Sequence, residues 1–262
     1  MKLISRPSLF QAWLSLALCG VAWAADWPTH QFDNRRSGVT AEQLNASALT
    51  QTWVFDSEVR PQPAWKGKMA RDSYAKKTFQ SDSYDYDKAF NLIAADGKVF
   101  FASSSGNACV ALNATDGSEL WRAAVGGAVR VAPTYDNDKI YFGSDDGQVY
   151  CVNADTGVKL WEYRGGPSAV LIASDHKFLT RYPCRTGVLI QNGKAYCGFG
   201  LLNWHGNYMA KLDASTGAEE NKTVNNGGGF SFEGMLLADS SNLFVTQGQN
   251  PCASFSLTNV NH

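Results

Sequence analysis

Three charged residues fall at matching places in this 262-residue chain, and a fourth stands close to one of them. Counting back equally from Lys98, Lys139, Lys194 and Asn242, each of which follows a turn, brings Ala89, Arg130, Arg185 and Glu233 into register. Arg130, Arg185 and Glu233 are therefore expected to converge, with Arg181, four before Arg185, as a further candidate. Guanidinium groups around one opening would hold a small anion or an anionic polymer through charge-assisted hydrogen bonds. The competing expectation is that these charges bond to carbonyls and to each other while lining a wet channel.

Other chemistry has less to work with. No Cys-x-x-Cys occurs, and His30, His176, His205 and His262 are scattered, so zinc spacing is absent. No acidic loop has calcium spacing, and no Ser-His-Asp set stands out. Gly227-Gly-Gly229 reads as a flexible loop, because no helix follows it to cradle a phosphate. Asn45-Ala-Ser, Asn113-Ala-Thr and Asn221-Lys-Thr match the glycosylation sequon, a pattern common by chance. Trp204-His205 could make a surface contact or simply structure its loop. We assign neither a catalytic residue nor a metal ligand. A formal charge of −1, with no long basic run, argues against nucleic acid or an anionic membrane as the main partner.

What must position the charged residues is a repeat. Gly97-Lys-Val-Phe-Phe-Ala-Ser followed by Ala108-Cys-Val-Ala-Leu-Asn-Ala-Thr-Asp-Gly-Ser-Glu-Leu-Trp121 is echoed by Asp138-Lys-Ile-Tyr-Phe-Gly-Ser and Val149-Tyr-Cys-Val-Asn-Ala-Asp-Thr-Gly-Val-Lys-Leu-Trp161. Trp161 follows Trp121 by 40 residues, and Gly157 follows Gly117 and Asn153 follows Asn113 by the same interval. A period near 40 built of short β runs and turns is the signature of a β-propeller blade. Asp96-Gly97, Asp136-Asn-Asp138 and Asn192-Gly193 predict tight hairpins between the first two strands of three units. After the third strand, Asn113, Asn153 and Asp213 open turns that Gly117, Gly157 and Gly217 close. Trp121 and Trp161 then fall on outer strands, where large aromatic area would lock neighbouring blades. The third unit lacks this tryptophan, so its outer strand is irregular or packs differently, and it carries about 20 extra residues within Pro167–Tyr182 and Leu201–Asn207.

The fold expected is all-β: a β-propeller of four-stranded antiparallel blades, incomplete, with about four to five blades of a larger ring. Blades are placed at 89–125, 126–166, 180–224 and 230–262, after a leading segment and insertion over 25–88. Leu49–Phe55 reads as an outer strand, and the tyrosine-rich stretch around Tyr74, Tyr84 and Tyr86 as a long loop. Residues 1–24 read as a signal peptide: Lys2 and Arg6, an apolar run from Leu9 to Val21, and the small-x-small site Ala22-Trp-Ala24. Cleavage is expected before Ala25, giving a periplasmic or secreted chain with no transmembrane span. A lipoprotein anchored through Cys19 is the rival reading, disfavoured by bulky Leu18. The mature chain keeps Cys109, Cys151, Cys184, Cys197 and Cys252; this odd number leaves at least one thiol unpaired or paired between chains. Buried core thiols are the expectation, with disulfides the alternative.

At the Asn/Asp-Ala-x-x-Gly-x-x-Leu-Trp positions the chain resembles the pyrroloquinoline-quinone-repeat propellers, a superfamily holding both quinoprotein alcohol dehydrogenases and the outer-membrane barrel-assembly propeller lipoproteins. Asp26-Trp-Pro with Arg35-Arg-Ser-Gly, Gly143-Ser-Asp-Asp-Gly-Gln-Val-Tyr-Cys-Val-Asn and Arg181-Tyr-Pro-Cys-Arg-Thr-Gly-Val more closely resemble exported bacterial proteins built of such repeats. Those proteins are usually much longer, and on this resemblance the chain reads as a truncated member. The resemblance implies that a dehydrogenase would need an adjacent Cys-Cys pair, a facing tryptophan, acidic and amide calcium ligands and a catalytic aspartate. No Cys-Cys pair occurs in the chain. The primary expectation is thus a non-catalytic binding or scaffold module of the envelope, without a cofactor, whose partner is a protein or a small anionic or polymeric ligand. The alternative is an oxidoreductase, or a fragment of one, using pyrroloquinoline quinone with calcium. A carbohydrate binder presenting the tyrosines of residues 74–86 is a third reading.

Overall fold

The turn residues behave as their chemistry requires. Asp96 and Gly97 have φ of 49° and 68°, Asn137 and Asp138 of 46° and 58°, and Asn192 and Gly193 of 52° and 71°. Paired positive φ values give the turn whose twist matches that of the strands it joins. A computed structural model describes residues 25–64, 89–174, 177–200, 205–225, 231–247 and 250–262. The expected signal peptide with Cys19, the tyrosines at 74, 84 and 86, Trp204 and the triglycine at 227–229 lie outside the described residues.

Seventeen strands are described, organised as the repeat predicts. The first sheet runs β1 (Asn91–Ala95), β2 (Lys98–Ser103), β3 (Ala108–Asn113) and β4 (Glu119–Ala124), and the second β5 (Thr134–Asp136), β6 (Lys139–Gly143), β7 (Gln148–Asn153) and β8 (Lys159–Arg164). A third is formed by β11 (Leu189–Gln191), β12 (Lys194–Phe199), β13 (Asn207–Asp213) and β14 (Glu219–Asn225); a fourth, three-stranded, by β15 (Leu237–Ala238), β16 (Asn242–Gln247) and β17 (Asn250–Ser256). All neighbours in these sheets are sequential and antiparallel. Lys98, Lys139, Lys194 and Asn242 pair with Asn113, Asn153, Asp213 and Ser256, so the four sheets share one register. Part of the third unit's extra length folds as a separate hairpin, β9 (Leu171–Ser174) with β10 (Lys177–Thr180). The fold is an arc of β-propeller blades.

The apolar cores lie between sheets. One cluster joins Phe100, Cys109 and Trp121 of the first blade to Ile140, Phe142 and Tyr150 of the second. A second cluster lies between the second and third blades, and a third between the third and fourth. Cys109, Cys151, Cys184 and Cys197 are buried and unpaired, as core thiols; Cys252 departs from that expectation, being exposed on β17. Burial pushes the Cys151 and Cys184 thiols up to about 12, which suits packing and not nucleophilic attack.

Three tryptophans make one contact, repeated. The indole N–H of Trp121 donates to Ala154 O at 2.9 Å, that of Trp161 to Ala214 O at 3.1 Å, and that of Trp53 to Ala114 O at 2.9 Å. Each ring lies over the glycine closing the next turn. A Cβ added at Gly117, Gly157 or Gly217 would stand 2.5, 2.7 or 2.6 Å from the facing indole, and each glycine also holds φ near 70°. The third blade does pack differently. Asn221 occupies the tryptophan's place, opposite Lys211 as Trp121 is opposite Ala111. The fourth turn, Ser256–Val260, keeps the closing bond from Val260 N to Ser256 O at 2.8 Å, but puts a valine at φ 49° where the others have glycine. With no indole above it, the Val260 side chain is itself buried among Tyr196, Met209 and Phe255. The Tyr196 hydroxyl donates to Leu257 O at 2.9 Å, as the Tyr141 hydroxyl donates to Ala214 O at 3.1 Å beside the Trp161 indole, so this cross-blade bond is kept where the indole is missing.

Candidate functional site

The first strands β1, β5, β11 and β15 each form one edge of their sheet, and β5 contacts both β1 and β11. This places the segments leading into them side by side. Arg130 precedes β5 and Arg185 precedes β11. The two meet on Asp145, a residue of the tight Ser144–Gly147 turn between β6 and β7. Arg130 Nε donates to Asp145 Oδ2 at 2.8 Å, and Arg185 Nε donates to Asp145 Oδ1 at 3.0 Å with Nη2 at 3.3 Å from Oδ2. Only 3% of the Asp145 side chain is exposed, against 9% for Arg130 and 14% for Arg185.

The backbone pins this carboxylate as firmly as its side-chain partners do. Asp145 N donates to Ala128 O at 2.9 Å, and its carbonyl accepts Thr180 N at 3.2 Å. Burial pushes the carboxyl up, but attraction to Arg185 and Arg130 and their hydrogen bonds outweighs it and holds it below the ordinary aspartate value. Two guanidiniums thus share one buried carboxylate. Asp146 beside it is occupied in turn, accepting Gly126 N at 3.0 Å and the Tyr150 hydroxyl at 2.7 Å.

The expected convergence is partly realised. Arg130 and Arg185 come together. Glu233 lies on the next segment, tied to Arg185 by a backbone bond from Gly234 N to Arg185 O at 3.1 Å; its own carbonyl accepts the Thr246 hydroxyl. Arg181 does not join Asp145: its backbone bonds Val170 O, beside the β9–β10 hairpin, and its Nε is buried without a hydrogen-bond partner. Sequence reasoning passed over Asp145. The signal was present in Ser144-Asp-Asp-Gly147, whose place at the turn puts a carboxylate at the same end of the blade as the two arginines.

A second missed feature spans all four blades. Trp27 pairs with Ala94 of β1 through bonds of 2.6 and 3.0 Å, and Tyr135 N of β5 donates to Pro28 O at 2.8 Å. Asn34 Nδ2 donates to Ile190 O of β11 at 2.7 Å, while Ala238 N of β15 donates to Asn34 O at 2.8 Å. Arg36 reaches Leu236 O, Thr29 Oγ1, His30 O and Asp33 O. The leading segment is thus a strap across the inner edges of the blades, at the end away from Asp145.

Comparison with known proteins bears on this arrangement. A family model described as outer membrane protein assembly factor BamB matches residues 51–259. The outer membrane protein assembly factor BamB of Shewanella oneidensis is 39% identical over 75 residues, which is 29% of this chain and 19% of that protein. The chain therefore spans about a fifth of the length of this curated relative. Among solved structures, quinohemoprotein alcohol dehydrogenase from Comamonas testosteroni aligns at a TM-score of 0.58 and 15% identity, covering 86% of this chain and 35% of that one. BamB from Moraxella catarrhalis aligns at 0.48 and 14% identity, covering 69% and 51%. At 15% identity the Comamonas testosteroni structure speaks to fold alone.

Proposed function

The chain belongs to the family described as outer membrane protein assembly factor BamB, and on that footing we propose that it is an exported, non-catalytic scaffold that binds a protein partner in outer-membrane assembly. The observation that carries the reading is what the reactive residue types are used for. Trp53, Trp121 and Trp161 are committed to blade locks, four cysteines to cores, and the two channel-mouth arginines to Asp145. Two absences support the reading over a quinone with calcium: no two cysteines are adjacent in the sequence, and no three acidic, cysteine or histidine side chains cluster to hold a metal among the described residues. What remains for recognition is shape and hydrogen bonding at the turn face around Ser105, Asp146 and Glu233.

The reading places the chain in the periplasmic space, delivered by the sequence over 1–24. No described helix is long and apolar enough to cross a membrane. Its test is in vivo: a photo-crosslinker in place of Ser105 should capture a component of the outer-membrane protein assembly apparatus, and one at Val158, on the opposite turns, should not. Equal capture from both positions, or from neither, overturns the reading. The oxidoreductase alternative is tested separately, by titrating the quinone with calcium and following bound-cofactor absorbance and dye-linked alcohol oxidation. We expect neither signal.

A further inference from the structure

The grooves between neighbouring blades are filled unequally. Two residues beyond the lock tryptophans Trp53, Trp121 and Trp161 stand Phe55, Ala123 and Tyr163. Phe55 lays its ring against Phe101 of the first blade, with centroids 5.7 Å apart, and Tyr163 against Phe199 of the third at 5.9 Å. Ala123, between the first and second blades, contributes only a methyl group. Both of these blades are described throughout, from Asn91 to Arg164. The groove between them holds an open cleft of about 380 Å³, lined by Ala123, Gly126, Phe142, Tyr150, Lys159 and Glu162.

Tyr163 shows what such a groove holds. Its hydroxyl bridges an ion pair on the outer strand of the third blade, donating to Glu219 Oε2 and accepting from Lys222 Nζ at 3.3 Å. Glu219 and Lys222 themselves lie 2.8 Å apart, and Lys222 Nζ stands 5.8 Å from the Tyr163 ring centroid. The second blade carries this pair in reverse order. Lys159 and Glu162 hold the places of Glu219 and Lys222, lie 2.7 Å apart, and are 54% and 40% exposed. The floor beside them is aromatic, because Phe142 and Tyr150 take the places of Cys197 and Ala210. Their rings stack with centroids 5.5 Å apart, and the Tyr150 hydroxyl is already used, donating to Asp146.

We propose that this groove binds a tyrosine side chain of a partner protein, its ring on Phe142 and Tyr150 and its hydroxyl on the Lys159–Glu162 pair. This rests on the reading of the chain as a protein-binding scaffold, and it names the group that the scaffold recognises. The charges select a phenol. A phenol donates to Glu162 and accepts from Lys159 at once, as Tyr163 does with Glu219 and Lys222, and reversing the order of the pair leaves that match intact. A carboxylate would be repelled by Glu162, an ammonium by Lys159, and a phenyl ring would use neither. Offset or edge contacts between rings add to the apolar area covered. The Gly126 end of the groove adjoins the Asp146 turn, through the bond from Gly126 N to Asp146 Oδ2 at 3.0 Å, so the groove is continuous with the turn face.

N-acetyl-L-tyrosinamide, titrated to millimolar concentration against the isotope-labelled chain, should shift the NMR amide signals of Ala123, Gly126, Tyr150 and Glu162. N-acetyl-L-phenylalaninamide should bind roughly fivefold more weakly, for want of the hydroxyl. Lys159 and Glu162 are exposed, so Lys159→Ala with Glu162→Ala should keep the fold and remove the difference between the two amides. Ala123→Tyr supplies the ring from within the chain, as Tyr163 does, and should abolish the shifts while raising the melting temperature. No shifts, shifts confined to other blades, equal affinity of the wild type for the two amides, or binding that survives Ala123→Tyr would each overturn the proposal. Crosslinking from Ser105 without shifts in the groove removes this proposal and leaves the scaffold reading standing.

Discussion

Asp145 is a small side chain on which two blades depend. Its carboxylate answers Arg130, from the lead into β5, and Arg185, from the lead into β11. Removing the charge while keeping the shape takes a buried anion away from two nearly buried guanidiniums. We therefore expect Asp145→Asn to lose about 3–5 kcal/mol, the usual cost of breaking a buried ion pair from one side. The pH dependence has a definite sign. The folded carboxyl titrates below its unfolded value, so its contribution is fully present above about pH 4 and is lost as pH falls through the folded value. Urea denaturation from pH 7 to pH 3 should show this loss in the wild type, and Asp145→Asn should lack that component. Replacing Arg130, Asp145 and Arg185 together by apolar residues of similar size should recover much of the deficit, because no charge is then stranded. A triple variant as weak as the single one would point to a role for the arginines beyond pairing.

At the scale of elements, the tryptophan and glycine of adjacent blades are one unit written 36 residues apart at Trp121 and Gly157, and 56 apart at Trp161 and Gly217. Trp121→Ala empties the contact and should cost about 3–5 kcal/mol. Gly157→Ala drives a methyl into the ring at a backbone angle that favours glycine, and should cost roughly 2–3 kcal/mol. The third blade supplies the converse experiment. Asn221→Trp alone would meet the Val260 side chain and should destabilise, whereas Asn221→Trp with Val260→Gly rebuilds the lock and should be more stable than either single variant. Thermal melts around that double-mutant cycle measure the coupling. This pairing also marks the limit of what can be read along the chain. Asp96-Gly97, Asn192-Gly193 and the Asx-to-Gly turns announce themselves locally, because positive φ restricts residue choice. Val260 does not: it is tolerated only because a different blade lacks an indole, a fact about space and not about neighbours in sequence. Asp145 stands between these cases: its turn, Ser144–Gly147, is marked in the sequence, but its partners lie 15 and 40 residues away. Arg130 and Arg185, by contrast, were legible from repeat register alone.

In the whole molecule, stability is distributed between sheets, and each blade touches chiefly its neighbours. Such an array is held by nearest-neighbour interfaces and is prone to open at its ends. The strap changes this, because Trp27, Pro28, Asn34 and Arg36 bond to β1, β5, β11 and the lead into β15 within a dozen residues. It couples the first blade to the fourth without passing through the two between. Arg36 is the most heavily used of these side chains, giving four hydrogen bonds to three strap residues and Leu236. Burial lowers its affinity for a proton, to about 10, so it stays cationic at neutral pH and must keep its carbonyl acceptors. We expect Arg36→Ala to cost about 2–4 kcal/mol, as a buried donor set lost at once. Its effect should also be uneven: hydrogen exchange should rise most at β15–β17, the sheet that the strap reaches last, and least in β5–β8, which is flanked on both sides. Uniform loss of protection across all four sheets would show instead that the arc unfolds as one unit and that the strap is one contact among many.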